Sequence, residues 1–377
     1  MDVKNPFSVT KNFLFSDDAS GFKLAKSDKL IHGDDFMDMF VPRRALFERD
    51  ALNYPIGKHI YHKMHELGVE TSFIGSHNRV MGIPGKTAQE AYFEGKRTLV
   101  VGIRRTLDFQ TCKPSAHYQL PLVTSCIGEC EYCYLNTTLG KKPYIRVYVN
   151  IDDILSRAKE YINNRKPETT IFEGSATSDP LPVEPYSGLL KESIEFFGRE
   201  EFGRFRFVTK FTNVDSLLNV EHKGHTTFRF SINSESVIRK FEHRTPALDE
   251  RINASVKVAS AGYPMGFIIG PIFYYPEWRK EYVQMLESLA QQLSGKLSTP
   301  PAFELITHRF TKRAKKNILE VFPKTQLPLD EEERRFKYGQ FGYGKYIYPK
   351  EQMAEMKSFF QEKIRESFPD SKILYFV

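Results

Sequence analysis

Along the chain the spacing of hydrophobic positions changes several times, and each change marks an element. From Met1 to about Asp38 the apolar residues Phe13, Leu14, Phe15, Leu24 and Leu30 keep no sustained period, which predicts an extension (1–39) that packs only locally. Between Phe40 and His117 the pattern is that of a small α/β unit (40–117), with a helix over Pro55–Leu67 and strands over Val69–Ile74 and Thr98–Ile103. From Gln119 onward short apolar runs alternate with helical ones. Strands are expected at Leu120–Thr124, Ile145–Val149, Thr169–Phe172, Phe205–Thr209, Phe228–Ile232, Gly266–Phe273 and Phe303–Thr307. Helices are expected at Asp152–Asn163, Gly188–Phe197, Leu248–Ala261 and Glu277–Leu293, with Asn150 placed to cap the first and Gly262 to stop the third. Such alternation predicts a parallel sheet wrapped by helices, an α/β barrel or partial barrel over 118–308, with its chemistry beyond the carboxyl ends of the strands. The last region, 309–377, breaks the rhythm. Phe336–Tyr348 interleaves aromatic and basic residues with Gly339, Gly342 and Gly344, which predicts a tight β-hairpin before a helix over Lys350–Phe368 and a strand over Ile373–Phe376.

Composition narrows the class. Of 377 residues, 41% are hydrophobic and 27% charged, which excludes wholesale disorder. No apolar run approaches the roughly 20 residues that span a bilayer, and Met1-Asp2-Val3-Lys4-Asn5-Pro6 lacks the pattern of a secretory signal. The expectation is a soluble, cytoplasmic protein without a membrane partner. The net charge of +7 is concentrated: His308–Lys350 holds 11 Lys/Arg against 5 Asp/Glu. That segment is either a polyanion-facing patch or a solvated basic face.

The four cysteines give the sharpest signal. Cys126, Cys130 and Cys133 stand in a C-x3-C-x2-C arrangement just after the Leu120–Thr124 run. Three thiolates on one loop can hold three corners of a [4Fe–4S] cube and leave the fourth iron open to a ligand. Structural zinc, with Cys112 or His117 as a fourth ligand, is the alternative, although a second C-x2-C is missing.

This spacing after a strand of a β/α array resembles the radical S-adenosylmethionine (SAM) superfamily. Further stretches resemble the spore photoproduct lyase family: Lys142–Asn150, Arg206–Phe211, Arg229–Asn233, Phe303–Lys312, Ser76-His77-Asn78 and Gly344–Tyr348. The resemblance runs from about Val41 to the C-terminus. It implies a partial (β/α) barrel of radical SAM type with a small N-terminal unit and a C-terminal hairpin. It also implies a lyase that repairs DNA by splitting 5-thyminyl-5,6-dihydrothymine, the spore photoproduct, into two thymines through a 5′-deoxyadenosyl radical, in the setting of sporulation and germination. Cys126, Cys130 and Cys133 would ligate the cluster, and Ser178, Lys210 and Ser231 would hold SAM. Tyr132 and Tyr134 would form a hydrogen-transfer relay, and flavodoxin or ferredoxin would supply electrons. Lys312, Arg335, Lys337, Tyr338, Tyr343 and Lys345 would face lesion-containing DNA. Two departures stand out. Ala176 occupies the position of the family's hydrogen-donating cysteine, leaving Cys112, the tyrosine pair or an external reductant to serve. Gln340-Phe341 stands where the family tends to carry Arg-Tyr. The alternatives are a radical SAM paralogue acting on another substrate and a cluster-containing nucleic-acid-binding protein without catalysis.

Overall fold

Near-continuous apolar runs in the central segment form strands buried on at least one face, which parallel pairing between helices requires. The structure, a computed structural model, describes residues 39–338 and 344–377. Its larger sheet has eight strands in the order Lys372–Phe376, Ala302–Thr307, Met265–Ile272, Thr226–Ile232, Gly203–Thr209, Thr170–Glu173, Ala116–Gln119 and Thr111–Cys112. All neighbours are parallel except the last pair. The sheet stays open and curls into a half barrel. Its outer face is apolar and lies under the helices. Phe197, from the helix Leu189–Arg199, stacks on Phe205 with ring centroids 5.4 Å apart. Burying a side chain of that size contributes about 1.5–3 kcal/mol.

Alternation of side chains sends Glu173, Arg206, Arg229 and Glu304 to the opposite, inner face, where all four are nearly inaccessible. Arg229 donates to Glu173 and, at 2.9 Å, to Glu304. Arg206 also donates to Glu304, which accepts a further bond from the Tyr375 hydroxyl at 2.5 Å. Gly266 makes room for this network, because a Cβ there would stand 2.8 Å from Arg229 Cγ.

A second sheet has five strands, in the order Glu70–Ile74, Arg44–Glu48, Thr98–Gly102, Ile145–Tyr148 and Val123–Thr124. Two expectations change here. Ile145–Tyr148 pairs with Thr98–Gly102 rather than with the half barrel, a choice of neighbour its apolar run does not encode. Of the expected strand Leu120–Thr124 only Val123–Thr124 forms, and a second strand, Ala116–Gln119, lies just before that range. Ala116–Gln119 belongs to the half barrel, while Val123–Thr124 runs antiparallel to Ile145–Tyr148. Pro121 has no N–H for a ladder, and the chain crosses there: Leu120 N donates to Glu173 O on one sheet, and Leu122 O accepts from Tyr148 N on the other.

Gly262 ends Leu248–Ser260 with φ +85°, as the sequence predicts. Asn150 precedes the helix Ile151–Arg165, yet its side chain makes no cap to that helix. It grips Arg104 instead: Arg104 N donates to Oδ1 at 2.8 Å, and Nδ2 donates to Arg104 O at 3.0 Å. Arg335–Tyr338 and Gly344–Ile347 form the expected antiparallel hairpin. Residues 1–38 of the extension and Tyr343, Gln340 and Phe341 of the hairpin lie outside the described residues.

Candidate active site

The cysteine loop leaves the Val123–Thr124 strand through Ser125, whose φ of +74° turns the chain across to Ser178. Gly128 N donates to Cys126 Sγ at 3.3 Å. A Cβ on Gly128 would sit 3.5 Å from Cys126 Sγ, 3.8 Å from Cys130 Sγ and 3.1 Å from Thr245 Cγ2, so the bare glycine keeps the space between two thiols clear. Cys130 is backed by a short antiparallel pairing of Glu129–Cys130 with Glu242–His243. The described side chains show no ready-made coordination sphere of three or more His, Cys, Asp or Glu. Burial, with Asp179 nearby, pushes the Cys126 thiol up to about 12, against the opposing pull of Lys96. Burial and then Glu242 raise that of Cys130 further, against Lys210. Without a cation these thiols stay neutral, and a metal would deprotonate them.

Several groups around the loop fit an iron–sulfur cluster. The Tyr92 hydroxyl is buried with no hydrogen-bond partner, and all three cysteines lie within its electrostatic reach. Lys96, fully buried, donates from Nζ to Cys126 O at 2.7 Å. A buried ammonium and an unpaired phenol suit an electron-rich cluster whose sulfurs accept hydrogen bonds. Three soft thiolates and no histidine or carboxylate in the loop's coordinating positions suit iron–sulfur better than a hard cation.

The residues expected to hold SAM meet at the carboxyl ends of their strands. Lys210 Nζ donates to Ser231 Oγ at 2.9 Å, and Lys210 N donates to Asp179 Oδ2 at 2.9 Å. Next to Asp179, the hydroxyl of Ser178 is buried without a partner, a polar atom available to a ligand. Sequence reasoning missed the residue that organises this group. Glu242 is fully buried and pairs with Lys210 Nζ at 3.0 Å and with Arg251 at 2.7 Å, and it accepts from the Tyr132 hydroxyl at 2.5 Å. Burial opposes its ionisation, but Arg251 and Lys210 together hold its carboxyl down at about 2. Nothing local marks it, since its partners lie far away in sequence.

Tyr134 is exposed, and its hydroxyl donates to Ala176 O. Ala176 lines a cavity of about 190 Å³ together with Arg104, Thr124, Arg146, Tyr148 and Thr177. Cys112, on the edge strand of the half barrel, is half-buried and lies within electrostatic reach of Tyr134. Burial and Glu173 push its thiol up to about 11, so it stays as S–H at neutral pH.

Of the basic residues, Lys312 and Arg313 line a separate, larger groove of about 900 Å³, together with Phe336, Tyr346 and Thr138 among others. Arg335, Lys337 and Tyr338 are exposed on one hairpin strand, and Lys337 stands opposite Lys345 on the other. Like charges placed opposite one another repel, and burial together with Arg309 and Lys337 lowers the pKa of Lys345. Tyr346 turns inward instead, stacked on Phe310 at 5.3 Å. Arg334 is likewise buried, 3.6 Å from the centre of the Tyr348 ring and bonded to His308 O.

A family model described as spore photoproduct lyase matches residues 40–377. The chain is 53% identical to a spore photoproduct lyase of Clostridium acetobutylicum over 335 residues, 89% of this chain and 98% of the relative. It is 48% identical to that of Bacillus subtilis over 337 residues, again 89% and 98%. A solved spore photoproduct lyase complexed with dinucleoside spore photoproduct superimposes with a TM-score of 0.87 at 49% identity, covering 90% of this chain and 99% of that one. The same figures hold for a doubly substituted spore photoproduct lyase with AdoMet and the dinucleoside spore photoproduct bound.

Proposed function

Because the chain belongs to the spore photoproduct lyase family, we infer that it is a radical SAM lyase that splits the spore photoproduct in DNA into two thymines. The observation that carries this reading is the assembly of Ser178, Lys210 and Ser231 beside the three-cysteine loop. Cys126, Cys130 and Cys133 would hold a [4Fe–4S] cluster, with SAM against Ser178, Lys210 and Ser231. When bound, the cluster and SAM supply a 5′-deoxyadenosyl radical, the agent that takes hydrogen from the lesion. Lys210 offers an ammonium to a carboxylate, and Ser178 and Ser231 offer hydroxyls. Glu242 keeps that ammonium in place and fixes the Tyr132 phenol.

Repair also needs a hydrogen atom returned to the thymine product. Ala176 has no S–H bond to give. Of the four cysteines, Cys112 alone stands outside the loop, and it retains its proton near Tyr134. In this reading the S–H bond of Cys112 breaks and its hydrogen goes to carbon. The tyrosine pair returns a hydrogen atom to the sulfur, and the phenoxyl radical so left takes one electron from the low-potential donor and one proton from solvent. Lys312, Arg335, Lys337, Tyr338 and Lys345 would neutralise and prise open the lesion-bearing duplex, and Tyr343, next to Gly344 in the sequence, would join them. A low-potential donor such as flavodoxin or ferredoxin, and a cytoplasmic location, complete the proposal. None of the described helices is long and apolar enough to cross a membrane.

The test is anaerobic reconstitution with iron and sulfide, reduction by dithionite, and addition of SAM and lesion dinucleotide. Mass spectrometry should find 5′-deoxyadenosine and released thymines. Absence of 5′-deoxyadenosine would remove the radical chemistry; its presence without repair would remove this substrate.

A further inference from the structure

In the cavity that Ala176 lines, two guanidinium groups converge on one phenol. Arg146 Nη1 donates to the Tyr148 hydroxyl at 3.2 Å, and Arg104 Cζ lies 5.5 Å from the centre of the same ring. Both arginines line the cavity of about 190 Å³, together with the hydroxyl-bearing Thr124 and Thr177. Neither has a carboxylate within ion-pair distance among the described residues, whereas Arg206, Arg229 and Arg251 are each matched by a glutamate. The Nε–H of each is buried without a hydrogen-bond partner. Two partly buried cations side by side, without an anion, are costly unless a ligand supplies one.

The surroundings hold the pair in place. Asn150 clamps both backbone polar groups of Arg104 and leaves its side chain uncommitted. Glu48, 2% exposed, anchors the flanking residues by accepting from Ile103 N at 3.0 Å and from Arg105 Nη1 at 3.0 Å. Arg146 is oriented through Nη2 by the Tyr144 hydroxyl at 2.9 Å. The frame is rigid, and the two side chains it presents are charged and unmatched.

We propose that Arg104 and Arg146 form an oxyanion subsite that takes a phosphodiester group of the lesion strand and so positions the damaged step over Ala176. A guanidinium pair suits this ligand because its donors fork onto phosphate oxygens. The ammonium of Lys210, by contrast, is already engaged by Ser231 and Glu242. The inference rests on the lyase reading and adds to it where the substrate's negative charge is read.

The experiment compares the lesion as a dinucleoside, without phosphate, and as a dinucleotide, with one. It uses reconstituted wild-type protein and the variants Arg104→Gln, Arg146→Gln and Arg146→Lys. Wild type should favour the dinucleotide by about tenfold in KM, roughly one charge-assisted contact pair. Arg104→Gln and Arg146→Gln should each remove most of that preference and leave the dinucleoside KM within twofold, while Arg146→Lys should keep part of it. Arg104→Gln guards against misfolding, because that side chain makes no hydrogen bond the fold depends on. Equilibrium dialysis of both lesions reads the same preference without turnover, so failure of the lyase chemistry would not hide the result. Equal loss for both lesions, or no preference in wild type, overturns the proposal. Added inorganic phosphate separates the sources. Competition against the dinucleotide alone supports a strand phosphate, and equal effects on both lesions would assign the site to a free anion and overturn it.

Discussion

The two sides of the proposed reaction centre treat charge in opposite ways. On the cosubstrate side Lys210 and Arg251 share the buried Glu242, and the half-barrel lumen pairs two arginines with two glutamates. On the proposed lesion side Arg104 and Arg146 have no acid within ion-pair distance among the described residues, and Lys337 faces Lys345 across the hairpin. The difference matches what each side would bind in the proposed reading. SAM, which carries one carboxylate beside its ammonium and sulfonium, would meet a site already balanced, so that one ammonium can be shared with that carboxylate without leaving a naked buried charge. A polyanion brings its own compensation, and a site balanced beforehand would have nothing left to attract it.

Removing a thiolate should have the largest effect. Cys130→Ala should abolish cluster binding and reduce 5′-deoxyadenosine formation by at least about 10³-fold; iron analysis and product quantitation check it. Next, Glu242→Gln should destabilise the fold by about 3–5 kcal/mol in urea titrations and weaken SAM binding, because two buried cations lose their shared anion. If that variant is as stable as wild type, the balanced picture of the cosubstrate side fails. Cys112→Ala should cut thymine yield by about a hundredfold, near 2.7 kcal/mol in barrier, while 5′-deoxyadenosine still forms. Adding Ala176→Cys to that variant should restore yield, and no rescue would move the hydrogen source elsewhere.

A smaller effect concerns pH. Burial works against ionisation of Glu48, but the His77 N–H, Arg105 and Ile103 N–H prevail and hold its carboxyl below the usual range. A depressed carboxyl stabilises above its unfolded pKa, and that contribution fades as pH falls through the folded value. The stability difference between wild type and Glu48→Gln should therefore be about 1–2 kcal/mol at pH 7 and shrink below about pH 4.5. A constant difference across that range would show that Glu48 does not anchor the Arg104 segment through its charge. Smallest of all, Lys337→Gln should weaken duplex binding about threefold and reduce the salt slope by about 1.

Much of this was legible in the sequence. The cysteine spacing marked the loop, and apolar runs such as Phe205–Thr209 marked the half-barrel strands, because both signals are local. What escaped was non-local. Glu242 meets Tyr132 across 110 residues, and no period or motif encodes that meeting. Pro121 was visible, but that it marks a passage between two sheets depends on where Leu120 and Leu122 find their partners. Asn150 looked like a cap, since residue type gives the capacity to bond backbone groups but not which backbone is nearest. The hairpin aromatics divided by orientation: Tyr346 went to the core while Tyr338 stayed in water.

The short strand behind Cys130 has a consequence for how the protein is built. During synthesis the three thiols emerge from the ribosome long before Glu242–His243 exists to cover one side of their loop. A nascent chain therefore passes through a stage in which the cysteine loop is open on that flank. Once the strap is paired, a cluster of the kind proposed would have to enter from the remaining side or lift the strap, which would make the timing of its delivery part of maturation.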